Sequence, residues 1–168
     1  MSLSLYDVSV PLFLRAFANL TDILEKGRSF AAEQGISEQE LLEARLYPDM
    51  GNLISQIQRA SDTAKFVPVR VGDVATVSMQ DDETSLDDLL KRIADTVAFL
   101  KSVSPEAMAG RDETMVELKT GKSVRSFTAR DYVLGFAIPN FYFHITTAYA
   151  LLRHKGVPIG KLDYLGRA

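Results

Sequence analysis

The sequence predicts a mainly α-helical protein, a four-helix bundle with one short β-hairpin before the last long helix. Apolar residues recur at intervals of three and four in four long segments, which is the spacing of helices with one buried face. Two short segments alternate polar and apolar residues around a Thr-Gly pair, which is typical of a hairpin. No repeat or low-complexity linker divides the 168 residues. We therefore expect one domain over residues 1–168.

Two predicted helices come first in the chain. The first covers 10–34 and ends at Gly35, a residue type that readily adopts the left-handed conformation found after a helix. A short helix over 38–44 follows. Ser37 can cap its first turn while Glu40 reaches back to the serine, the arrangement called a capping box.

The third predicted helix covers residues 50–66. Asp49 precedes it and is expected to cap it, because a carboxylate accepts hydrogen bonds from the free N–H groups of a first helical turn. The apolar segment 67–81 then reads as a loop that lies against the bundle.

The next helix and the hairpin follow in order. Thr84 or Ser85 opens a helix that runs through Leu100. Residues 114–118 and 123–127 then alternate polar and apolar side chains. An isolated hairpin is only marginally stable, so this one is expected to pack against the helices.

The last long helix begins at Thr128 and runs to about His154. Gly156 and Pro158 end it, since glycine terminates helices and proline cannot continue them.

Composition excludes several classes of protein. The chain has no cysteine and therefore no disulfide or thiolate site, and its net charge of −3 offers no basic stripe for nucleic acid. The basic residues Lys119, Lys122 and Arg125 read as a solvated surface near a turn. No apolar run reaches the ~20 residues that span a bilayer, and the N-terminus lacks the features of a signal peptide. A cytoplasmic protein that contacts neither membrane nor nucleic acid is expected.

Polar residues on two helices predict a pocket inside the bundle. Asn140, His144 and Thr147 share one face of the last helix, and a polar column flanks the apolar face of the third helix. If these faces meet, His144 lies at the centre of a polar site. The candidate ligand-pocket residues are Asp49, Asn52, Gln56, Asp62, Asn140, Tyr142, His144 and Thr147.

The histidines allow more than one interpretation. His144 is either a metal ligand or general base, or a structural residue whose ring bonds to Gln56, Asn140 or a backbone carbonyl. His154 falls in the last helical turn, where a cation complements the helix dipole. Ala148 stands four residues after His144, so no His-x-x-x-His pair is present. We therefore expect no cofactor, with a divalent metal at His144 as the alternative.

Two segments resemble an uncharacterised bacterial family, known as domain of unknown function nineteen-ninety-three. They are PNFYFHITTAYALLRHKGVPIGKLDYLG over 139–166 and PDMGNLISQIQRASDTAK over 48–65. That family is similar to the DinB/YfiT-like superfamily of four-helix bundles, which are often dimeric and are putative metalloenzymes. The superfamily's metal site takes a histidine from the second helix and a His-x-x-x-His pair from a later helix. In this chain only His144 can match that set.

The resemblance and the residues together favour a small-molecule-binding or interaction protein that forms a homodimer and lacks the three-histidine site. The alternative is a transferase or hydrolase that uses His144 in an altered metal or acid–base site, so the sequence leaves open whether the chain is an enzyme. The apolar loop 67–79 or the C-terminal tail is expected to be buried against a second subunit.

Overall fold

The computed structural model of the chain describes residues 3–121 and 123–166, without the side chain of Thr120. Its elements, in chain order, are α1 (Val10–Gln34), α2 (Glu38–Leu42), α3 (Leu53–Gly72), α4 (Leu86–Ser102), a 3-10 turn (Pro105–Met108), β1 (Met115–Thr120), β2 (Ser123–Thr128), α5 (Ala129–Asp131), a π-helical segment (Tyr132–Ala137), α6 (Ile138–His154) and α7 (Lys161–Leu165).

Four of these helices form the bundle. α3 packs against α4 on one side and α6 on the other, and α1 packs against both α4 and α6. α1 therefore lies diagonally opposite α3. The prediction of a helical bundle with one antiparallel hairpin is confirmed.

Aromatic and aliphatic side chains fill the centre of the bundle. The Phe141 ring of α6 packs on Phe13 and Phe17 of α1, with ring centroids 4.5 and 5.2 Å apart. Leu20, Leu53 and other buried residues complete the core. Most residues of the apolar faces predicted from helical spacing are buried, because burial of these side chains is the main driving force of folding.

The start of α3 differs from the prediction. Asn52 caps the helix, since its Oδ1 accepts hydrogen bonds from the Ser55 amide at 3.0 Å and the Ser55 hydroxyl at 2.9 Å. Asp49 is exposed and lies before the cap. The expectation that Asp49 caps a helix from Met50 is therefore wrong.

The end of α3 differs as well. The helix continues through Pro68 to Gly72, although a proline inside a helix costs about 3 kcal/mol. Val67 and Val71 on either side are fully buried, and burial of two valines offsets a cost of that size. Residues 67–72 are thus helical, and the connecting loop begins at Asp73.

The hairpin packs one face against the helices. Val116 and Leu118 of β1 are buried, whereas Met115 and Val124 are exposed. Val116 pairs with Phe127 and Leu118 with Arg125. The basic residues Lys119 and Arg125 are exposed, and Lys122 lies outside the described residues.

The last long helix contains a π-helical segment that the sequence pattern did not reveal. It spans Tyr132–Ala137 and ends just before Pro139. Proline has no N–H to donate and its ring clashes with the carbonyl four residues earlier. A locally wider turn relieves that clash, which is a common cause of such segments.

The C-terminal tail packs on its own chain. Val157 and Ile159 are buried in the core. Asn19 donates to the Tyr164 carbonyl at 3.0 Å, and Arg15 donates to the Leu165 carbonyl at 2.8 Å. These contacts hold α7 on α1 of the same chain, with Tyr164 partly buried and Leu165 44% exposed.

In the part of the chain that the structure describes, we find no helix with the length and apolar content needed to cross a bilayer.

Two leucines provide a matched test of this packing. Leu20 of α1 is fully buried and Leu162 of α7 is 76% exposed. We expect Leu20→Ala to lower the free energy of unfolding by about 2–5 kcal/mol, because it removes buried methyl groups and leaves a cavity. Leu162→Ala should change it by less than about 0.5 kcal/mol. Urea denaturation of both variants measures the difference, and equal losses would contradict the described packing.

Candidate functional site

A groove of about 290 Å³ runs between α3 and α6. The two helices are antiparallel, because residue 56 of α3 contacts residue 144 of α6 while residue 70 contacts residue 132. The hairpin contributes Leu118 to one wall. The lining residues are Arg59, Asp62, Thr63, Phe66, Arg70, Leu118, Tyr132, Phe136, Asn140 and His144.

Helical spacing places these residues in two facing rows. Arg59, Thr63, Phe66 and Arg70 follow one another at intervals of four, three and four along α3, so they share one face. The opposite row has one residue every four positions, from Tyr132 to His144. The π-helical turn helps to keep Tyr132 on the groove side.

Gln56 fixes the orientation of the His144 ring. Its Nε2 donates to the Gly51 carbonyl at 2.8 Å, so its Oε1 faces the histidine. His144 Nδ1 lies 2.8 Å from that oxygen. An amide oxygen only accepts hydrogen bonds, and Nδ1 therefore carries the proton in the neutral ring. Gln56 is one of the three partners that the sequence suggests for a structural histidine.

The second ring nitrogen has a different environment. Nε2 has no hydrogen-bond partner among residues 3–121 and 123–166, and it is not sealed from solvent. His144 lines the groove although only 6% of the residue is exposed. The lone pair on Nε2 is consequently an open hydrogen-bond acceptor that faces the groove.

The charge state of His144 follows from its surroundings. Burial, and to a lesser extent the positive charge of Arg59, lowers the pKa of His144 to about 4. Both effects disfavour the charged ring. At neutral pH the ring is uncharged, and Nε2 accepts but does not donate.

A hydrogen bond across the groove divides it into two halves. Asn140 Nδ2 donates to the Thr63 hydroxyl at 2.7 Å. On one side lies the histidine half, formed by His144, Gln56 and Arg59. On the other lies the arginine half, which comprises Phe66, Arg70, Leu118, Tyr132 and Phe136.

The arginine half is built around one guanidinium. Arg70 Nη1 donates to the Tyr132 hydroxyl at 2.7 Å, and the guanidinium lies 4.6 Å from the Phe66 ring centroid. Burial raises the pKa of Tyr132, although Arg70 opposes the shift. The phenol is therefore neutral at pH 7 and keeps its own proton.

The eight residues predicted for the pocket are only partly brought together. Gln56, Asn140 and His144 meet at the groove, and Asp62 lies at its edge. Asp62 is bound to Lys65 at 3.0 Å and to the buried Arg92 at 3.1 Å. Asn52 caps the start of α3, and Asp49 lies on the surface outside the groove, so neither residue contributes to the groove.

Tyr142 and Thr147 lie elsewhere. They line a separate shallow depression of about 510 Å³, together with Leu46, Met50 and Phe143. The Thr147 hydroxyl donates to the Phe143 carbonyl at 2.7 Å within α6. The sequence pattern placed Thr147 on the face of His144, but the side chain is directed to this second surface.

Sequence reasoning missed the arginine half. Phe66 and Arg70 continue the helical spacing that begins at Arg59. The predicted third helix ended near residue 66, however, and therefore did not include Arg70. Tyr132 and Phe136 also continue the four-residue spacing of Asn140 and His144. The continuation of α3 through Pro68 is the feature that brings Arg70 into the site.

Comparison with known proteins identifies the family. A family model described as Domain of unknown function (DUF1993) matches residues 5–165. The chain belongs to this family. A DinB family member from Shewanella denitrificans, known from a crystal structure, is 37% identical and superimposes with a TM-score of 0.89 over 98% of this chain and 93% of that one. No curated protein matches the chain.

The alternative of a divalent metal at His144 depends on the ligands that the groove offers. The groove does not fit a three-ligand centre, because Asn140 is bonded to Thr63, Ala148 is a buried apolar residue and Gln56 is bonded to His144. Within the described ranges, no cluster of three or more His, Cys, Asp or Glu side chains could hold an ion. Structural and catalytic zinc sites need three or four such ligands.

The low pKa of His144 predicts a pH dependence of stability. The unfolded chain binds a proton at this residue near pH 6.5, whereas the folded chain binds it only near pH 4. The stabilising contribution is thus complete above about pH 6.5 and is lost as the pH falls toward 4. We expect the free energy of unfolding to fall by on the order of 2 kcal/mol between pH 7 and pH 4.5, and we expect this fall to be absent in His144→Gln. Urea denaturation at both pH values measures it.

His154→Gln is the matched control, since His154 is exposed at the end of α6. That variant should keep the wild-type pH dependence. An equal pH dependence in wild type and His144→Gln would contradict the neutral, buried histidine.

Proposed function

We propose that the chain binds a small organic molecule in the groove between α3 and α6, and that the ligand donates a hydrogen bond to His144 Nε2. One observation carries the proposal: Gln56 fixes the proton on Nδ1 and leaves the Nε2 lone pair open on the groove. An acceptor that is open on the groove and has no partner in the described part of the chain is free to take a hydrogen bond from a ligand donor.

The lining of the groove supports binding of an organic ligand. Aromatic rings from Phe66, Phe136 and Tyr132 form much of the wall, and a few polar groups converge between them. Ligand sites in proteins typically combine apolar walls with a small number of polar groups that fix orientation. The volume of about 290 Å³ suits a compact molecule.

Acid–base or metal-dependent transfer is the second candidate, and the same contacts count against it. A histidine with a pKa of about 4 is a weak base at neutral pH, and efficient general bases have pKa values near the working pH. Asp62, the carboxylate at the groove edge, is bound to Lys65 and Arg92. A hydrogen-bond acceptor is the role that suits the neutral ring.

A neutral aromatic probe tests the proposal. We expect 4-hydroxybenzamide to shift the ¹⁵N resonance of His144 Nε2 as the ring accepts a hydrogen bond, with little change at Nδ1. Gln56→Met should weaken this binding at least fivefold, because the ring loses the group that fixes its proton on Nδ1. NMR titration with histidine-labelled protein measures both effects.

Gln58→Met is the matched control. Gln58 lies on the same helix, but it donates to Glu83 at 2.8 Å and faces away from the groove. This variant should bind the probe as the wild type does. If the Nε2 resonance moves with neither 4-hydroxybenzamide nor phenol, the proposed function is wrong.

We also propose that the chain forms a homodimer through the outer face of α1 and α4. A groove of about 380 Å³ on this face is lined by Leu14, Ala18, Leu90, Val97 and other mainly apolar residues. Arg28, near the end of α1, binds Asp87, near the start of α4, so the two helices run antiparallel. The groove carries one anion, Asp22, and one cation, Lys101.

The two charges are placed for twofold symmetry. In the antiparallel pair Lys101 lies level with Leu14, which is eight residues or ~12 Å along α1 from Asp22. A twofold axis perpendicular to the helices, midway between the levels of Leu14 and Asp22, relates the two copies. It places Asp22 of each copy at the level of Lys101 of the other. Self-complementary contacts of this kind characterise twofold dimers. Neither residue forms an ion pair within the described part of the chain.

Charge exchange tests this dimer. We expect Asp22→Lys and Lys101→Asp each to weaken dimerisation about tenfold, because like charges then face each other, and the double variant to recover it. Sedimentation velocity at low salt measures the association. A wild-type chain that stays monomeric at micromolar concentration, or a double variant no better than the singles, would rule out this interface.

A further inference from the structure

We infer that the arginine half of the groove binds the anionic group of a planar organic acid, such as an aryl carboxylate. The inference rests on the proposed function, because it identifies the class of ligand that the same groove accepts. The histidine half would take a hydrogen-bond donor of the ligand, and the arginine half its negative charge.

The Arg70 guanidinium has donors left for a ligand. Arg70 uses one N–H for the hydroxyl of the fully buried Tyr132, and a guanidinium has five. Tyr132 therefore holds the guanidinium in place. The planar fork of the remaining N–H groups matches the two oxygens of a carboxylate.

The charge of Arg70 is not balanced by the protein. Neither Arg70 nor Arg59 forms an ion pair among residues 3–121 and 123–166. Asp62 lines the same groove, and it pairs with Lys65 and with Arg92, which also binds Asp81 and Glu83. The two unpaired guanidinium groups in the lining still outnumber this carboxylate. The whole chain carries a net charge of −3. The groove is therefore a local region of positive potential on an acidic protein, which attracts anions.

The guanidinium is also held in place before any ligand arrives. It lies 4.6 Å from the Phe66 ring centroid and 5.5 Å from that of Tyr132. Contacts with two aromatic rings and one hydrogen bond restrict its orientation. A planar guanidinium fixed in this way loses little freedom when it binds a carboxylate.

An aromatic surface beside the Arg70 guanidinium favours a planar ligand. Phe136 and Tyr132 are stacked, with ring centroids 6.0 Å apart and planes at 21°. Leu118 of the hairpin lines the same half of the groove. An aryl ring that extends from the carboxylate toward His144 would lie against these apolar groups.

Two probes of the same shape and different charge test the inference. 4-Hydroxybenzoate and 4-hydroxybenzamide both carry an aromatic ring and a hydroxyl donor, and only the first is an anion. We expect the wild type to bind the benzoate about tenfold more tightly, as two charge-assisted hydrogen bonds and an unbalanced cation imply. Titration followed by NMR measures both affinities.

Variants assign the preference to Arg70. Arg70→Met keeps the length of the side chain and should abolish the difference between the two probes. Tyr132→Phe keeps the ring and should reduce the difference by a few fold. Arg111→Met is the matched control, because Arg111 is exposed and lies outside the groove, and it should leave both affinities unchanged.

The outcomes separate this inference from the proposed function. If the amide binds as tightly as the benzoate, or if Arg70→Met keeps the preference, the anion site is wrong and binding at His144 stands. If neither probe shifts a groove resonance, the proposed function falls and this inference with it. If Arg70→Met does not fold, the effect of added salt on the wild type decides the question. Salt must weaken the binding of 4-hydroxybenzoate and leave the binding of 4-hydroxybenzamide unchanged.

Discussion

The carboxamide of Gln56 joins the start of α3 to the middle of α6. Its N–H group holds the Gly51 carbonyl and its oxygen holds the His144 ring. Replacement of this residue by an apolar one would leave the buried imidazole N–H without a partner, which lowers the free energy of unfolding by about 1–3 kcal/mol. It would also remove the bond to the partly buried Gly51 carbonyl. The same bond determines which nitrogen of His144 is open to a ligand, so the fold and the candidate site depend on one contact.

The length of α3 is the second determinant of the site. Because the helix continues past Pro68, Arg70 reaches the level of Tyr132 in the π-helical segment that precedes α6. The π-helical turn before Pro139 helps to place Tyr132 and Phe136 on the same side as Asn140 and His144. Two local irregularities, each at a proline, thus create the arginine half of the groove. Such departures from regular geometry are common at functional sites.

Most helices could be predicted because their signals are local. The serine caps at Ser37 and Ser85, the glycine after α1 and the alternation in the hairpin depend on neighbours in sequence. The boundaries of α3 could not be predicted in this way. Asp49 and Asn52 are both good capping residues, and the choice between them depends on the turn that precedes the helix.

Helical spacing predicted only part of the candidate site. The face that carries Asn140 and His144 follows from that spacing. Its meeting with Gln56 was only a condition of the predicted pocket, because it depends on the packing of α3 against α6. Asp62 is drawn to the buried Arg92, which also binds Glu83 at 2.7 Å, and this network is invisible in a periodic pattern. Thr147 satisfies its hydroxyl within α6 and faces a different surface.

The sequence by itself determined the fold class, most of the buried residues of the long helices and the shared face of Asn140 and His144, because each rests on spacing within one segment. Only the tertiary structure decided the tautomer of His144, the reach of α3 past Pro68 and the pairing of Arg70 with Tyr132. These features arise from burial and hydrogen bonds between segments far apart in the chain, whose energies exceed the local preferences of the residues involved.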